Sequence, residues 1–229
     1  MKIIWDKVGD RLFETGVSNG VLYPQDKEGK YPLGVPWNGL TAITESPSGG
    51  EPNPFYADNI KYFSILSAEE YGATIEAFYY PKEFNPCNGV VELEDGISIG
   101  QQKRQRFGLV YKTLLGNDIE EESYGYKLHI VYGAQASPSE KNHQTVNATP
   151  EPLAFSWEVS TTPVEVSGYK PTATLEIDST TIEPDILKKI EAQLFGSDGT
   201  PAEGGNPAVD PIQPHLLLPD EIAALIAQG

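Results

Sequence analysis

The chain has 229 residues, enough to bury a sizeable core in one β-rich domain or in one domain with an appendage. Its formal net charge of -17 excludes phosphate backbones and anionic membranes as direct partners, because both would be repelled. A single cysteine, Cys87, excludes an internal disulfide framework and fits a reducing compartment, where it reads as a partly buried small residue.

The opening, MKIIWDKVGDRLFETGVSNG, is interrupted by Asp6, Lys7, Asp10 and Arg11. No signal-peptide core is expected there, and no apolar run long enough to cross a bilayer follows it. Synthesis in a cytoplasm and no membrane contact are therefore expected. Residues 12–178 are dominated by short runs of Val, Ile, Thr, Tyr and Phe broken by Gly, Pro, Asn and Asp, the pattern of an antiparallel sandwich or barrel. Strands are predicted over 12–23, 39–44, 59–66, 72–80, 106–115, 124–133, 153–166 and 172–178. Within SAEEYGATIEAFYYP, Ser67 and Glu70 offer a capping box for a helix. The stretch from Ala73 to Tyr80 nevertheless alternates and ends at Pro81, and a strand is the preferred reading.

Before the third of these strands lies ESPSGGEPNPFYAD, too rich in Pro and Gly for a regular element and too long for a tight hairpin. Such a segment is either a surface excursion or a contact-making loop, and Phe55 and Tyr56 favour contacts, being odd residues to leave in water. FGLVYKTLLGND then leads through an acidic connection containing Glu120, Glu121 and Glu122, which must lie in water, into GYKLHIVYG. In that strand Tyr126, Leu128, Ile130 and Tyr132 form a core face. Lys127, His129 and Val131 form a second face that is neither clearly core nor clearly solvent.

The C-terminal quarter changes character. EPDILKKIEAQLFG predicts an amphipathic helix over 184–195, with Pro184 in the first turn, Ile186, Leu187, Ile190 and Leu194 on one face, and Gly196 as a stop. Domain 1–196 is then followed by a linker at 197–215, whose Gly and Pro forbid a packed element, and by a segment at 216–229. That segment predicts a short helix from Pro219 with Asp220 and Glu221 in its first turn. A helix so short is unstable alone, so Leu217, Ile222, Leu225 and Ile226 are read as docking residues, carried by the linker to a surface away from their own domain, with a neighbouring copy within reach.

Chemistry is sparse by comparison. His129, His143 and His215 are far apart in sequence and have no metal-ligand spacing, and the chain contains no phosphate loop, nucleophile elbow or calcium loop. ELED at 92–95 and IEEE at 119–122 read as solvated carboxylates in loops or strand ends. The basic cluster Lys103, Arg104 and Arg106 suits an acidic surface of another copy better than a nucleic acid. No catalytic, cofactor-binding or metal-binding residue is assigned, and neither a cofactor nor an enzymatic activity is expected. An acidic β-sandwich with open edges suits assembly.

The strings WNGLTAITESPSGGEPNPFYADNIKYF, TIEAFYYPKEF, FGLVYKTLLGND, YGYKLHIVYGAQASPSEK, FSWEVSTTPVEV and YKPTATLEIDS, in that order, closely resemble the major tail tube proteins of long, non-contractile-tailed bacteriophages. The resemblance covers roughly residues 5–195. It implies an antiparallel β-sandwich or barrel of the phage tail-tube type, with a flanking α-helix and a C-terminal extension. Hexameric rings of such a protein stack into a hollow tube that conducts the genome into the host.

In the same terms, residues 45–58 correspond to a long loop that reaches neighbouring subunits, placing Pro47, Gly49, Gly50, Glu51, Pro52, Phe55 and Tyr56 at an intersubunit contact. Bore residues in this family come from strands, so Glu76, Glu158, Glu165 and Glu176, all within predicted strands, are candidate lumen carboxylates. DNA would pass them without specific binding, repelled rather than held. The implied partners are further copies of the chain, a tape-measure protein, a tail terminator and a baseplate-side initiator. The implied location is the virion tail, after assembly in the host cytoplasm. A β-sandwich capsid-decoration or host-adhesion protein of a phage is the alternative, and a polysaccharide-cleaving enzyme would require two carboxylates across a cleft.

Overall fold

The computed structural model describes residues 2–146, 152–199 and 210–227. Along the chain come β1 (Phe13–Pro24), β2 (Val35–Pro36), β3 (Leu40–Glu45), β4 (Ser48–Gly49), β5 (Pro52–Ala57), β6 (Ile60–Leu66), β7 (Glu69–Glu70) and β8 (Gly72–Ala77). They are followed by β9 (Val91–Glu94), β10 (Ile97–Ile99), β11 (Phe107–Asn117), β12 (Glu121–Ala136), β13 (Phe155–Thr161), β14 (Thr174–Asp178), α1 (Pro184–Phe195) and α2 (Pro219–Ala227). The fold is mainly β and antiparallel, as the patterning predicts.

One sheet of 8 strands runs in the order β2–β1–β11–β12–β13–β8–β3, with β14 paired to β12 beside β13. The sheet curls until its ends approach: β1 lies in contact with β3, and the Tyr111 hydroxyl of β11 reaches across to Glu45 of β3 at 2.8 Å. Alternation then sorts the side chains of each strand onto two sides. Inside the curl lie Leu22, Trp37, Phe84, Phe107, Leu109, Val131 and Trp157. Outside it, Tyr23, Val110, Leu128, Ile130 and Tyr132 pack beneath the two helices.

β12 can serve both parts because it changes partner midway, pairing β14 through Lys127–Val131 and β13 through Ala134–Ala136. Gly133 sits at the irregularity between the two stretches with φ +57°, and a Cβ there would overlap the Thr162 carbonyl oxygen. The extra residue shifts the alternation by one, so Ala134 and Ala136 still point inward.

α1 matches the sequence expectation at both ends. Leu187, Ile190 and Leu194 are buried on the sheet, and the chain leaves through Gly196 at φ +81°. The Tyr23 hydroxyl donates to the Leu194 carbonyl at 2.5 Å, while Glu191 accepts from Tyr126 at 2.8 Å and pairs with Lys112 at 3.2 Å. α2 packs on this same layer, so the expected docking surface is the chain's own core and not a neighbouring copy. Leu217 and Ile222 are buried in the chain's own core, Leu225 packs at its edge and Ile226 stays 49% exposed at the rim. The Tyr132 hydroxyl fixes the approach by donating to the Leu217 carbonyl at 3.0 Å. Of the expected linker, residues 200–209 lie outside the described residues, whereas Ser197 and Ile212 on either side exchange backbone hydrogen bonds.

Several expectations need correction. The segment read as irregular contains a strand, Pro52–Ala57, that pairs with Ile60–Leu66 through the two-residue turn Asp58–Asn59, both at positive φ. Asn and Asp tolerate that left-handed geometry, and the prolines are accommodated because β5 is an edge strand. ELED is likewise part of a hairpin, β9–β10, turning at Asp95–Gly96. Some predicted strands are shorter than expected: β8 ends at Ala77, β13 ends at Thr161, two residues before Pro163, and β14 begins only at Thr174. β12 is longer, taking in Glu121 and Glu122 of the acidic connection.

Because Ile222 is 4% exposed and Ile226 is at the rim, Ile222→Ala should lower unfolding stability by about 2–4 kcal/mol and Ile226→Ala by less than about 1 kcal/mol. Urea denaturation of the two variants checks this, and equal small losses would mean that α2 does not belong to the core.

Candidate functional site

The most unusual surface of the molecule is the arm formed by β4–β7. Its base is the short ladder Ser48–Glu70 and Gly49–Glu69, and its shaft is the β5–β6 hairpin, none of whose residues is buried. Phe55 and Phe63 face each other across the hairpin with ring centroids 5.0 Å apart, and Tyr62 packs edge-on against Phe63 at 5.8 Å. Tyr56, Ile60, Tyr62 and Leu66 are each more than 60% exposed. A two-stranded hairpin is marginal in water on its own, and so much exposed apolar surface marks a contact region. The predicted contact residues Pro47, Gly49, Gly50, Glu51, Pro52, Phe55 and Tyr56 occupy one side of this arm, from its base to its tip. The apolar residues of β6, which complete the surface, are missing from the sequence-based set.

A second feature is the half-polar face of β12. Lys127 and His129 close the open end of the curled sheet, in a row running from Glu14 of β1 to Glu176 of β14. The Lys127 ammonium lies 3.1 Å from Glu14 and 3.0 Å from Glu176. The Thr113 hydroxyl donates to Glu14 at 2.6 Å, which leaves its oxygen to accept from His129 Nε2 at 2.9 Å. The imidazole stacks on Tyr111 at 4.7 Å with planes 7° apart.

Electrostatics follow from these contacts. Partial burial opposes the Glu14 carboxylate, yet hydrogen bonds from Thr113 and Lys127 and the Lys127 charge outweigh it and hold its pKa below 4.5. Hydrogen bonds to Glu176 and Glu14 push Lys127 above 10.5. Burial, followed by the neighbouring Tyr71 and Glu45, drives the Tyr111 hydroxyl well above the usual tyrosine range.

Within the cluster the Lys127, His129, Glu14 and Glu176 side chains partner one another and tie β1, β12 and β14 together. The cavity beside it, between Glu45, His129 and Glu176, measures 90 Å³, against the roughly 300–1,000 Å³ of small-molecule sites. A wider groove of 590 Å³ between Val17–Val21, Trp37–Leu40 and Phe195 holds no titratable side chain. Among the described residues no group of three His, Cys, Asp or Glu side chains is placed to hold a metal ion, and no helix is long and apolar enough to cross a membrane.

The four candidate lumen carboxylates do not share one face. Glu76 and Glu158 do, standing exposed on the uncovered side of the β13–β8 pair, opposite Ser156 and Thr74 respectively. Glu176 is engaged by Lys127. Glu165 lies beyond the end of β13 and is not a strand residue, since Pro163 intervenes.

The basic cluster is also divided. The Arg104 guanidinium donates to the Ala136 carbonyl at 3.1 Å and to Asn88 at 3.3 Å, tying the chain to itself, while Lys103 and Arg106 are exposed. Cys87 is fully buried rather than partly so, and burial pushes its thiol up to about 12.

Two further apolar surfaces escaped the sequence reading. The N-terminal segment exposes Ile3, Ile4, Trp5 and Val8, and the β9–β10 hairpin exposes Val91, Leu93, Ile97 and Ile99. The Asp-Gly turn between alternating apolar residues was the available signal for the hairpin.

No protein-family model matches the chain, and no curated protein matches it. Among solved structures, the 6-fold symmetrised cryo-EM structure of the anti-feeding prophage baseplate is similar, with a TM-score of 0.34 and 8% identity, over 80% of this chain and 100% of that one.

The Glu14–Lys127–Glu176 row makes stability depend on pH. A carboxylate whose folded pKa is depressed stabilises above its unfolded value of 4.5, and that contribution is lost as pH falls through the lower folded value. Lys127, raised when folded, contributes fully below 10.5 and loses its contribution as pH rises through the folded value. Glu14→Gln should therefore lower Tm at pH about 7 and flatten the fall in Tm between pH about 5 and 3. Thermal melts across that range check it, and an unchanged acid limb would show that Glu14 is not the titrating group.

Proposed function

We propose that this chain is a non-catalytic, self-assembling subunit of a phage tail tube, forming hexameric rings that stack into a conduit for DNA. The observation that carries the reading is the β4–β7 arm: a preformed hairpin with every residue in water and apolar side chains on both faces. Such an arm gains stability only by lying on another surface, and a preformed arm loses little conformational entropy on docking. The ordered set of sequence strings resembling tail tube proteins supports the same reading, because the arm falls where that family places its subunit-spanning loop.

In this assembly the arm reaches a neighbouring copy, and the uncovered face bearing Glu76 and Glu158 lines the bore. Its carboxylates repel DNA phosphates, so the genome slides without binding. A tape-measure protein inside the tube, a terminator at one end and a baseplate-side initiator at the other complete the set of partners, and the mature location is the virion tail.

Electron microscopy of the concentrated protein should show tubes of stacked rings; discrete oligomers at every concentration would favour a capsid-decorating or adhesion protein instead. Replacing residues 50–67 by a short Gly-Ser turn should leave Tm within about 2 °C of the parent, because the arm contributes nothing to either core, and should abolish tubes. Normal tubes from that variant would remove the arm from the interface. Glu76→Gln combined with Glu158→Gln should leave tubes intact and slow DNA ejection from virions carrying it, and unchanged ejection would rule out electrostatic lubrication by this face.

A further inference from the structure

The N-terminal segment and the β9–β10 hairpin lie at opposite ends of the molecule. β1 begins at Phe13 opposite Gly116, next to the β11–β12 turn, and ends at Pro24 opposite Phe107. The N-terminal segment is pinned at the first end: the Gly9 amide donates to Asp118 at 2.9 Å, and Arg11 pairs with the same carboxylate at 3.6 Å. The hairpin grows from the second end, where the Gln102 amide donates to the Gly89 carbonyl at 2.9 Å and the Gln105 side chain donates to the Gln25 carbonyl at 2.6 Å. The 12 residues of β1 separate these ends by about 40 Å. Residues 2–8, fully extended from Gly9, span about 25 Å and cannot reach the base of their own hairpin.

The two elements complement each other in chemistry. Residues 2–8 carry Lys2 and Lys7 against Asp6, together with Ile3, Ile4, Trp5 and Val8, and Trp5 is 74% exposed. The hairpin carries Glu92, Glu94 and Asp95 with no basic residue, together with Val91, Leu93, Ile97 and Ile99, and Leu93 is 65% exposed. A net-positive apolar segment is rare in so acidic a chain, in which two copies otherwise repel. The surroundings complement each other as well. Beside the N-terminal segment lies the acidic run from Asp118 to Glu122, and beside the hairpin base lie the exposed Lys103 and Arg106.

We propose that the N-terminal segment 2–8 of one copy docks on the β9–β10 hairpin of the next copy, making a head-to-tail contact in which Lys2 and Lys7 face Glu92 and Glu94. The inference rests on the self-assembly proposed above and adds the elements and the polarity of one contact. Like ends cannot substitute for it, because two hairpins would bring six carboxylates together and two N-terminal segments would bring together ammonium groups.

The test uses the full-length chain in three forms: the parent, Lys2→Glu with Lys7→Glu, and Glu92→Lys with Glu94→Lys. All four positions are exposed, and circular dichroism checks that each form is folded. Light scattering against concentration at low salt should show each double variant assembling only at about tenfold higher concentration than the parent. An equimolar mixture of the two variants should recover to within about threefold of the parent, because alternating copies restore opposite charges at every contact. If the parent assembles and the variants assemble equally well, or if the mixture fails to recover, this contact is wrong while the tube reading stands. A parent that stays monomeric at all concentrations overturns the tube reading and this contact with it.

Discussion

Burial of the β11–β12 pair on both faces is the constraint to which the rest of the molecule conforms. A strand pair that is apolar on one face can float on a single core, but here Leu109 and Val131 point to one side while Val110, Leu128, Ile130 and Tyr132 point to the other. Each side needs its own cover. The sheet supplies the first by curling round Trp37, Phe84 and Trp157, and α1 and α2 supply the second. The C-terminal helix, which is too short to be stable alone, is held because that second side would otherwise be half bare. The polar row from Glu14 to Glu176 fits the same logic, closing the curl at the end where the apolar residues of β12 run out.

What remains outside this economy is informative. Both cores are packed within one copy, yet the β5–β6 hairpin, the β9–β10 hairpin and the N-terminal segment all keep large apolar side chains in water. The backbones of the two hairpins are already organised by local turns, so little order has to be imposed on them when they meet a partner. In the proposed assembly, mutual repulsion keeps the acidic copies dispersed until contacts of the right geometry and sign are available. There, stability of the copy and association between copies reside in different residues, since neither core includes a residue of the arm.

Legibility from sequence followed the range of the interaction concerned. α1 could be bounded because Pro184, the spacing of Leu187, Ile190 and Leu194, and Gly196 are local signals. The two faces of the Tyr126–Tyr132 stretch were legible from alternation, whereas the role of Lys127 and His129 was not, since Glu14 and Glu176 approach from strands distant in sequence. Composition misled at Pro52–Ala57, where prolines that disfavour a central strand are harmless on an edge, and where Asp58–Asn59 was the better guide. The surface on which α2 rests depends on the curl of the whole sheet and has no local signature. Glu165, by contrast, had a local signal in Pro163, which follows the end of β13 and separates it from Glu76 and Glu158.

Burial of Cys87 has a consequence for how the molecule can be watched. Its thiol is enclosed by the aromatic interior, and burial raises its pKa and so disfavours the reactive thiolate. Towards alkylating or oxidising reagents the folded chain therefore behaves as though it had no cysteine. Any reaction at sulfur reports that the interior has opened, and the rate of labelling becomes an intrinsic clock for that opening. Because Cys87 packs in the same core as Phe84 just before the β9–β10 hairpin, such a clock would register strain transmitted from that projection into the body of the protein.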